Sequence, residues 1–277
     1  MENKSLLNQI LFCTFVILFL LYILFPFLWQ FMTSIKPPEQ LFSIPPRWIP
    51  DRIFTGYYLS VFTKRPFLVY LKNSLIVASA TTFLSLFVSS FAAYAIARLK
   101  FRGKALILAL VLSVSMFPGI SIISPLFLFL KKINLLNTHL GLILTYTTFT
   151  IPLSLWILTS FFREIPFELE ESAKVDGATP MQAFLKIIFP LAAPGMFTTA
   201  ILTFIAAWNE FLFALVFNTK DLMRTVPVGI AMFPGEHELP WGDIAAASVV
   251  VTVPLIVMVL IFQKRIISGL TAGAVKG

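Results

Sequence analysis

Arg163-Glu-Ile-Pro-Phe-Glu-Leu-Glu-Glu-Ser-Ala-Lys-Val-Asp-Gly-Ala-Thr-Pro-Met-Gln-Ala-Phe-Leu-Lys-Ile-Ile-Phe-Pro-Leu-Ala-Ala-Pro194 is the most charged stretch of a strongly apolar chain, and hydrophobic runs flank it on both sides. It carries its own helix punctuation. Pro166 suits a first helical turn, where its missing N–H is not needed. Glu168, Glu170 and Glu171 then lie near a helix N-terminus, whose partial positive charge favours them. Gly177 suits the left-handed conformation that ends a helix. Thr179, Pro180 and Gln182 form a second start: an N-cap, a proline at the first position and a glutamine that closes a capping box. The stretch therefore reads as two short helices with a glycine joint, held outside the membrane and presented to something.

The rest of the composition explains why a membrane enters the reading. Of 277 residues, 58% are hydrophobic and 12% charged, about half the charge of a soluble domain. Thirty phenylalanines and a mean hydropathy of +0.90 agree. The net charge of +8 does not indicate nucleic-acid binding. Membrane proteins place cations in loops for topological reasons, and no basic run here is long enough to track a phosphate backbone. The single cysteine, Cys13, lies inside the first apolar run and cannot form an internal disulfide.

The expected architecture is all-α: one polytopic transmembrane domain over 1–277, with six spans at about 10–32, 74–97, 105–130, 140–162, 196–217 and 244–262. The first run, behind a short head with Lys4, is too long for a signal-peptide core and reads as a retained span, with Pro26 as a possible kink. Residues 33–72 form a proline-rich connection whose Trp48, Tyr57 and Tyr58 suit the outer interface. Ser79, Ser85, Ser89, Ser90, Ala92 and Ala93 equip the second span for close helix approach. Lysines and arginines divide almost evenly between the two sides. The orientation rests on the short basic cluster from Arg98 to Lys104 and on the tail with Lys264 and Arg265, which place both termini and loop 163–194 in the cytoplasm.

Within the spans, two features invite a functional reading. Pro118-Gly119 and Pro125 interrupt the third span. A broken helix lining a path is one reading; an ordinary kink is the preferred one. Glu210, beside Asn209 in span five, is an acid at membrane depth. It either lines a path or makes a buried structural hydrogen bond, and the two readings stand level. Elsewhere the plain readings prevail. Glu236-His237-Glu238 reads as a solvated turn and not a metal site. His139 reads as interfacial. Two histidines and one membrane-buried cysteine assemble no catalytic set. No G-x-x-x-x-G-K-[ST] phosphate loop is present, so the chain is not expected to be an enzyme, and ATP chemistry would need another polypeptide.

Glu171-Ser172-Ala173, three residues, Gly177, nine residues, Ile187, one residue and Phe189-Pro190 resembles the EAA loop of bacterial ABC importer permeases, with Ser172 for an alanine and Phe189 for a leucine. Ala207-Trp208-Asn209-Glu210-Phe211 is similar to the carbohydrate branch of that family. So are Met116, Pro118 and Pro125, and the ending from Gly269 to Gly277 resembles the smaller permease subunit of maltose-type importers. The resemblance implies a permease for a sugar, an oligosaccharide or a disaccharide such as maltose or trehalose, in the inner membrane. It implies a second permease subunit, two ATPase subunits that hold ATP and Mg, and an extracellular or periplasmic solute-binding protein facing the loop from Asn218 to Asp243. This chain itself would bind no cofactor. The resemblance puts Glu171, Ser172, Ala173, Asp176, Gly177, Ile187 and Pro190 at the ATPase-coupling surface, and brings the C-terminal tail to the same interface. Asn209, Glu210, Pro118 and Gly119 are candidates for the translocation path. A permease for a polyol or glycerol phosphate stays open. An ion-driven secondary transporter is disfavoured because Glu210 has no second buried acid or histidine beside it. A membrane scaffold would leave the broken spans unexplained.

Overall fold

The computed structural model describes residues 6–233 and 239–272, which are all helix, turn and loop, with no strand among them. The chain divides into two compact units, one of residues 1–66 and 230–253, the other of residues 67–229 and 254–277.

In the smaller unit, α1 (Leu6–Ile35) continues through Pro26 without a break. Its most apolar window is not buried at all. Such a helix needs lipid or another chain around it, because no described residue of its own unit covers that window. The proline-rich connection that follows is tied by polar bonds. Gln40 Nε2 donates to Asp51 Oδ2 at 2.7 Å, Arg47 pairs with the same carboxylate, and Arg52 pairs with Glu39. Trp29, Trp48 and Phe25 cluster there. Helix α2 (Gly56–Thr63) meets Asp243 through Ser60 Oγ, which donates at 3.2 Å, and Arg65 lies 3.6 Å from the same carboxylate.

The larger unit is built on α3 (Phe67–Arg98), α4 (Lys104–Val114), α5 (Gly119–Lys132) and α6 (His139–Glu164), then the short α7 (Phe167–Val175), α8 (Pro180–Ala183) and α9 (Phe189–Leu191), and α10 (Ala193–Trp208), α11 (Leu212–Phe217) and α12 (Val226–Ala231). The last helix, α13 (Trp241–Ala272), contains the boundary between the units. Between α3, α6 and α10 the contacts are those expected of helices that associate in lipid. Ser85, Ser89, Ser90 and Ala93 are buried, although Ser79 is exposed and Ala92 half-buried. Ser85 and Thr150 hydroxyls meet at 2.6 Å, and Ser154 and Thr203 at 3.1 Å. At Gly195 a β-carbon would lie 2.3 Å from the Phe161 ring, so only glycine permits this crossing. A core of Tyr94, Leu155, Leu158, Phe162, Phe184 and Ile188 closes the end nearest α7.

Four helices are long and apolar enough to cross a membrane, or six if each of two bent pairs is one span. The first bent pair is α4 and α5, which turn through 90° at the break before Gly119. This overturns the preference for an ordinary kink. Pro118 cannot donate a backbone bond and takes an extended conformation (ψ 128°) as the cap of α5. Pro125 breaks nothing and lies inside α5. The second departure is in the expected span 196–217. Helix α10 stops at Trp208, and its 16 residues cover only about 24 Å. The chain restarts as α11 at Leu212.

Candidate functional site

The charged loop has the two-helix form that its punctuation indicates. Pro166 is the cap of α7 and not its first residue (ψ 135°), a shift of one position. Gly177 has φ +84°. Its N–H donates to Lys174 O at 3.0 Å and the Ala178 N–H to Ala173 O at 2.9 Å, which together close the end of α7. A β-carbon at Gly177 would touch nothing within 4 Å, so the demand for glycine here is purely conformational. Both bonds of the capping box form: Thr179 N–H donates to Gln182 Oε1 at 2.8 Å, and Gln182 N–H to Thr179 Oγ1 at 3.3 Å. After α8 the backbone widens into one π turn, Phe184–Ile188, before α9. Pro190 follows directly, and its ring would crowd the Lys186 carbonyl in a regular α-helix.

Of the seven residues proposed for coupling, the structure exposes Glu171, Ser172, Asp176, Gly177 and Pro190 on one continuous loop. Ile187 is half-buried. Ala173 is 6% exposed and packs within its own chain, where its small size is used. Beside the exposed polar residues stand Val175, Met181 and Leu185, which are 87%, 52% and 50% exposed. The loop thus carries apolar side chains that this chain leaves exposed beside its polar ones.

What holds the loop to the spans was not visible in the motif. Glu170 and Arg98 are both buried. Tyr94 Oη donates to Glu170 Oε1 at 3.0 Å, and Lys174 Nζ lies 3.0 Å from the same oxygen. Arg98 donates to Ile165 O and stacks its guanidinium 4.2 Å above the centre of the Phe167 ring. Arg98 is therefore not one of the solvated loop cations that the basic cluster suggested. It belongs to a polar anchor between the end of α3 and the start of α7. Tyr94 and Arg98 stand four residues apart on one helix face, and that spacing is the signal that could have found them.

The break between α10 and α11 explains Asn209 and Glu210. Asn209 is exposed, and its Nδ2 donates to Ile205 O at 2.9 Å, covering a carbonyl at the end of α10. The Glu210 carboxylate accepts the Phe213 N–H at 2.8 Å and the Ala214 N–H at 3.1 Å, capping α11. Glu210 also lines a cavity of about 170 Å³ with Tyr146, Thr150 and Phe213. The carboxylate is thus a structural cap, and it also borders a cavity. Gly119 stands opposite Phe213, whose ring would lie 3.3 Å from a β-carbon there, and this brings the two helix breaks together. An apolar cavity of about 540 Å³ lies between Phe117, Pro125, Leu126 and Phe149. His139 Nε2 meets Asn73 Oδ1 at 2.8 Å, while Asn73 Nδ2 donates to the carbonyls of Leu222 and Arg224, so His139 helps fix the loop after α11. No group of residues suited to a metal occurs among those described. Glu236, His237 and Glu238, Lys4, and the tail residues from Gly273 onward lie outside the described residues, as do the side chains of Lys264 and Arg265.

A family model described as "Binding-protein-dependent transport system inner membrane component" matches residues 85–271. The chain is similar to the trehalose/maltose transport system permease protein MalG of Thermococcus litoralis, with 46% identity over 99% of both chains. It is 48% identical to the trehalose transport system permease protein SugB of Mycobacterium tuberculosis, covering 92% of this chain and 93% of that one. In fold it resembles a chain of a bacterial ABC transporter involved in the import of the acidic polysaccharide alginate, with a TM-score of 0.81 at 21% identity over 95% of this chain and 99% of the other.

Proposed function

We propose, on the premise that this chain belongs to the family of binding-protein-dependent transport system inner membrane components, that it is the permease subunit of an ATP-driven importer for a disaccharide of the trehalose or maltose type. The chain is a multi-pass membrane protein, and the proposal counts six spans: α1, α3, α4 with α5, α6, α10 with α11, and α13. Both termini and the loop 163–194 then lie on the cytoplasmic side of the inner membrane. The observation that carries the reading is the loop itself: two capped helices, anchored from below by Tyr94 and Arg98, with Glu171, Ser172, Val175 and Met181 facing outward. An ATPase subunit is the partner this surface would take, with a second copy of that ATPase on a second permease. ATP and Mg would be held by those subunits. The names of two close relatives support the sugar.

Mechanically, closure of the ATPase pair would push α7, and the polar anchor would carry that displacement into α3. The broken helices at Pro118-Gly119 and Asn209-Glu210 would line the path, since irregular backbone at membrane depth is tolerated where it faces a cavity. The outer loop 218–243 would face the solute-binding protein. The test is purification of the tagged chain from its native membrane in mild detergent, with mass spectrometry of its companions, followed by uptake of labelled trehalose and maltose into ATP-loaded proteoliposomes. Co-purification of an ATPase and a second permease, with uptake that needs ATP and no ion gradient, is the expected result. A chain that purifies alone in several gentle detergents, or uptake that follows an ion gradient, overturns the proposal.

A further inference from the structure

At the C-terminal end of α1 the smaller unit holds a pocket of about 290 Å³ that has no part in coupling or in the broken helices. Its aromatic walls are Trp29, Phe42 and Trp241, and Gln30, Thr33 and Lys36 supply its polar side. Lys36 is only 3% exposed. Its Nζ lies 4.0 Å from the centre of the Trp29 ring. A buried ammonium needs an anion, because desolvation disfavours its charge. Burial lowers the pKa of Lys36 accordingly.

The described acids of this unit do not supply that anion. Glu39 is paired with Arg52. Asp51 is held by Gln40 and Arg47. Asp243 accepts from Ser60 beside Arg65. Among the described residues Lys36 has a π face and no carboxylate.

The surroundings indicate where the anion comes from. Helix α1 has 30 residues, about 45 Å, against a hydrocarbon core of roughly 30 Å. Its apolar side chains are exposed along its length, from Phe12 at 68% to Phe31 at 44%. The last turn and Lys36 therefore emerge at headgroup level, where tryptophans such as Trp29, Trp48 and Trp241 are favoured. We propose that this pocket binds the phosphate of an anionic lipid headgroup, with Lys36 as its counter-ion and the Trp29, Phe42 and Trp241 rings against the glycerol backbone. This goes beyond the transport reading and is independent of the solute carried.

The experiment is native mass spectrometry of the intact purified complex, titrated with phosphatidylglycerol and separately with phosphatidylcholine. Tryptophan fluorescence with inorganic phosphate is read in parallel. The expected result is a first phosphatidylglycerol adduct about ten-fold tighter than phosphatidylcholine, a preference lost in Lys36→Met and kept in Lys36→Arg. Trp241→Ala, at a residue that is 48% exposed, serves as a second variant outside the buried core, and it should lower the same preference. Inorganic phosphate should leave the fluorescence unchanged. A phosphate response in the wild type that Lys36→Met abolishes, without lipid preference, would overturn the lipid source in favour of a free anion. Equal adducts for both lipids in wild type and all variants, with no phosphate response, would overturn the site altogether.

Discussion

At Gly177 and Glu210 single side chains decide what the backbone can do. Gly177 has φ +84° with open space where a β-carbon would stand. A substitution there meets backbone strain and no clash, at roughly 1–2 kcal/mol for most residues. Asparagine tolerates this conformation and β-branched residues do not. Initial uptake rates in a reconstituted importer should therefore fall in the order glycine, Gly177→Asn, Gly177→Ala, Gly177→Val, with insertion unchanged. Equal rates for Gly177→Asn and Gly177→Val would show that the joint is not conformational. Glu210 accepts two backbone N–H groups with its two oxygens. In Glu210→Gln one of those acceptors becomes an amide nitrogen that cannot accept, and a charge-assisted bond worth about 1.5–3 kcal/mol is weakened. Uptake should drop more than complex assembly, because the altered group also faces the cavity with Tyr146. Parallel loss of both would make Glu210 a structural cap alone.

At the scale of elements, the loop stands on its attachment to α3. Tyr94 and Lys174 both serve one oxygen of a buried carboxylate, Glu170. Tyr94→Phe should cost about 1–3 kcal/mol, the usual penalty for leaving a buried polar group with a missing partner. A double-mutant cycle with Glu170→Gln should be non-additive by at least about 0.5 kcal/mol. Thermal unfolding of the purified complex measures both, and strict additivity would mean that the anchor is not a unit. The punctuation of this loop is legible because it is local: Gly177, Thr179, Pro180 and Gln182 lie within six consecutive positions. Its anchor was not, because Tyr94 and Glu170 are 76 positions apart and Arg98 looked like any membrane-flanking cation. The break at Pro118 could be located but not its 90° angle, since proline removes a bond without dictating where the freed chain goes. The stop at Trp208 is not legible because hydrophobicity runs on through Phe217, and the two readings of Glu210, a path-lining acid and a buried structural hydrogen bond, do not specify a helix restart.

The whole chain is incomplete as a membrane object. None of the most apolar window of α1 is buried, against half of that of α6. A helix like α6 is held by its own unit, whereas the apolar window of α1 is uncovered by the described residues of its unit and is suited to lipid or to a second subunit. The loop makes the same point: Val175, at 87% exposure, is uncovered by the described residues. Family membership and the helical architecture followed from sequence pattern and comparison. The partner surfaces follow only from seeing which faces the fold leaves uncovered.

The most direct test of the central claim is disulfide-independent cross-linking from the loop. Ser172 is exposed on α7, and Cys13 is the only native cysteine. Ser172→Cys in a Cys13→Ser background, reacted in native membranes with a short thiol-to-amine cross-linker, should give one major adduct. Mass spectrometry should identify the second chain as an ATPase subunit, and the yield should change when ATP is added. A fully inserted, transport-competent variant that forms no adduct with an ATPase, at Ser172 or at neighbouring Val175, would contradict the account.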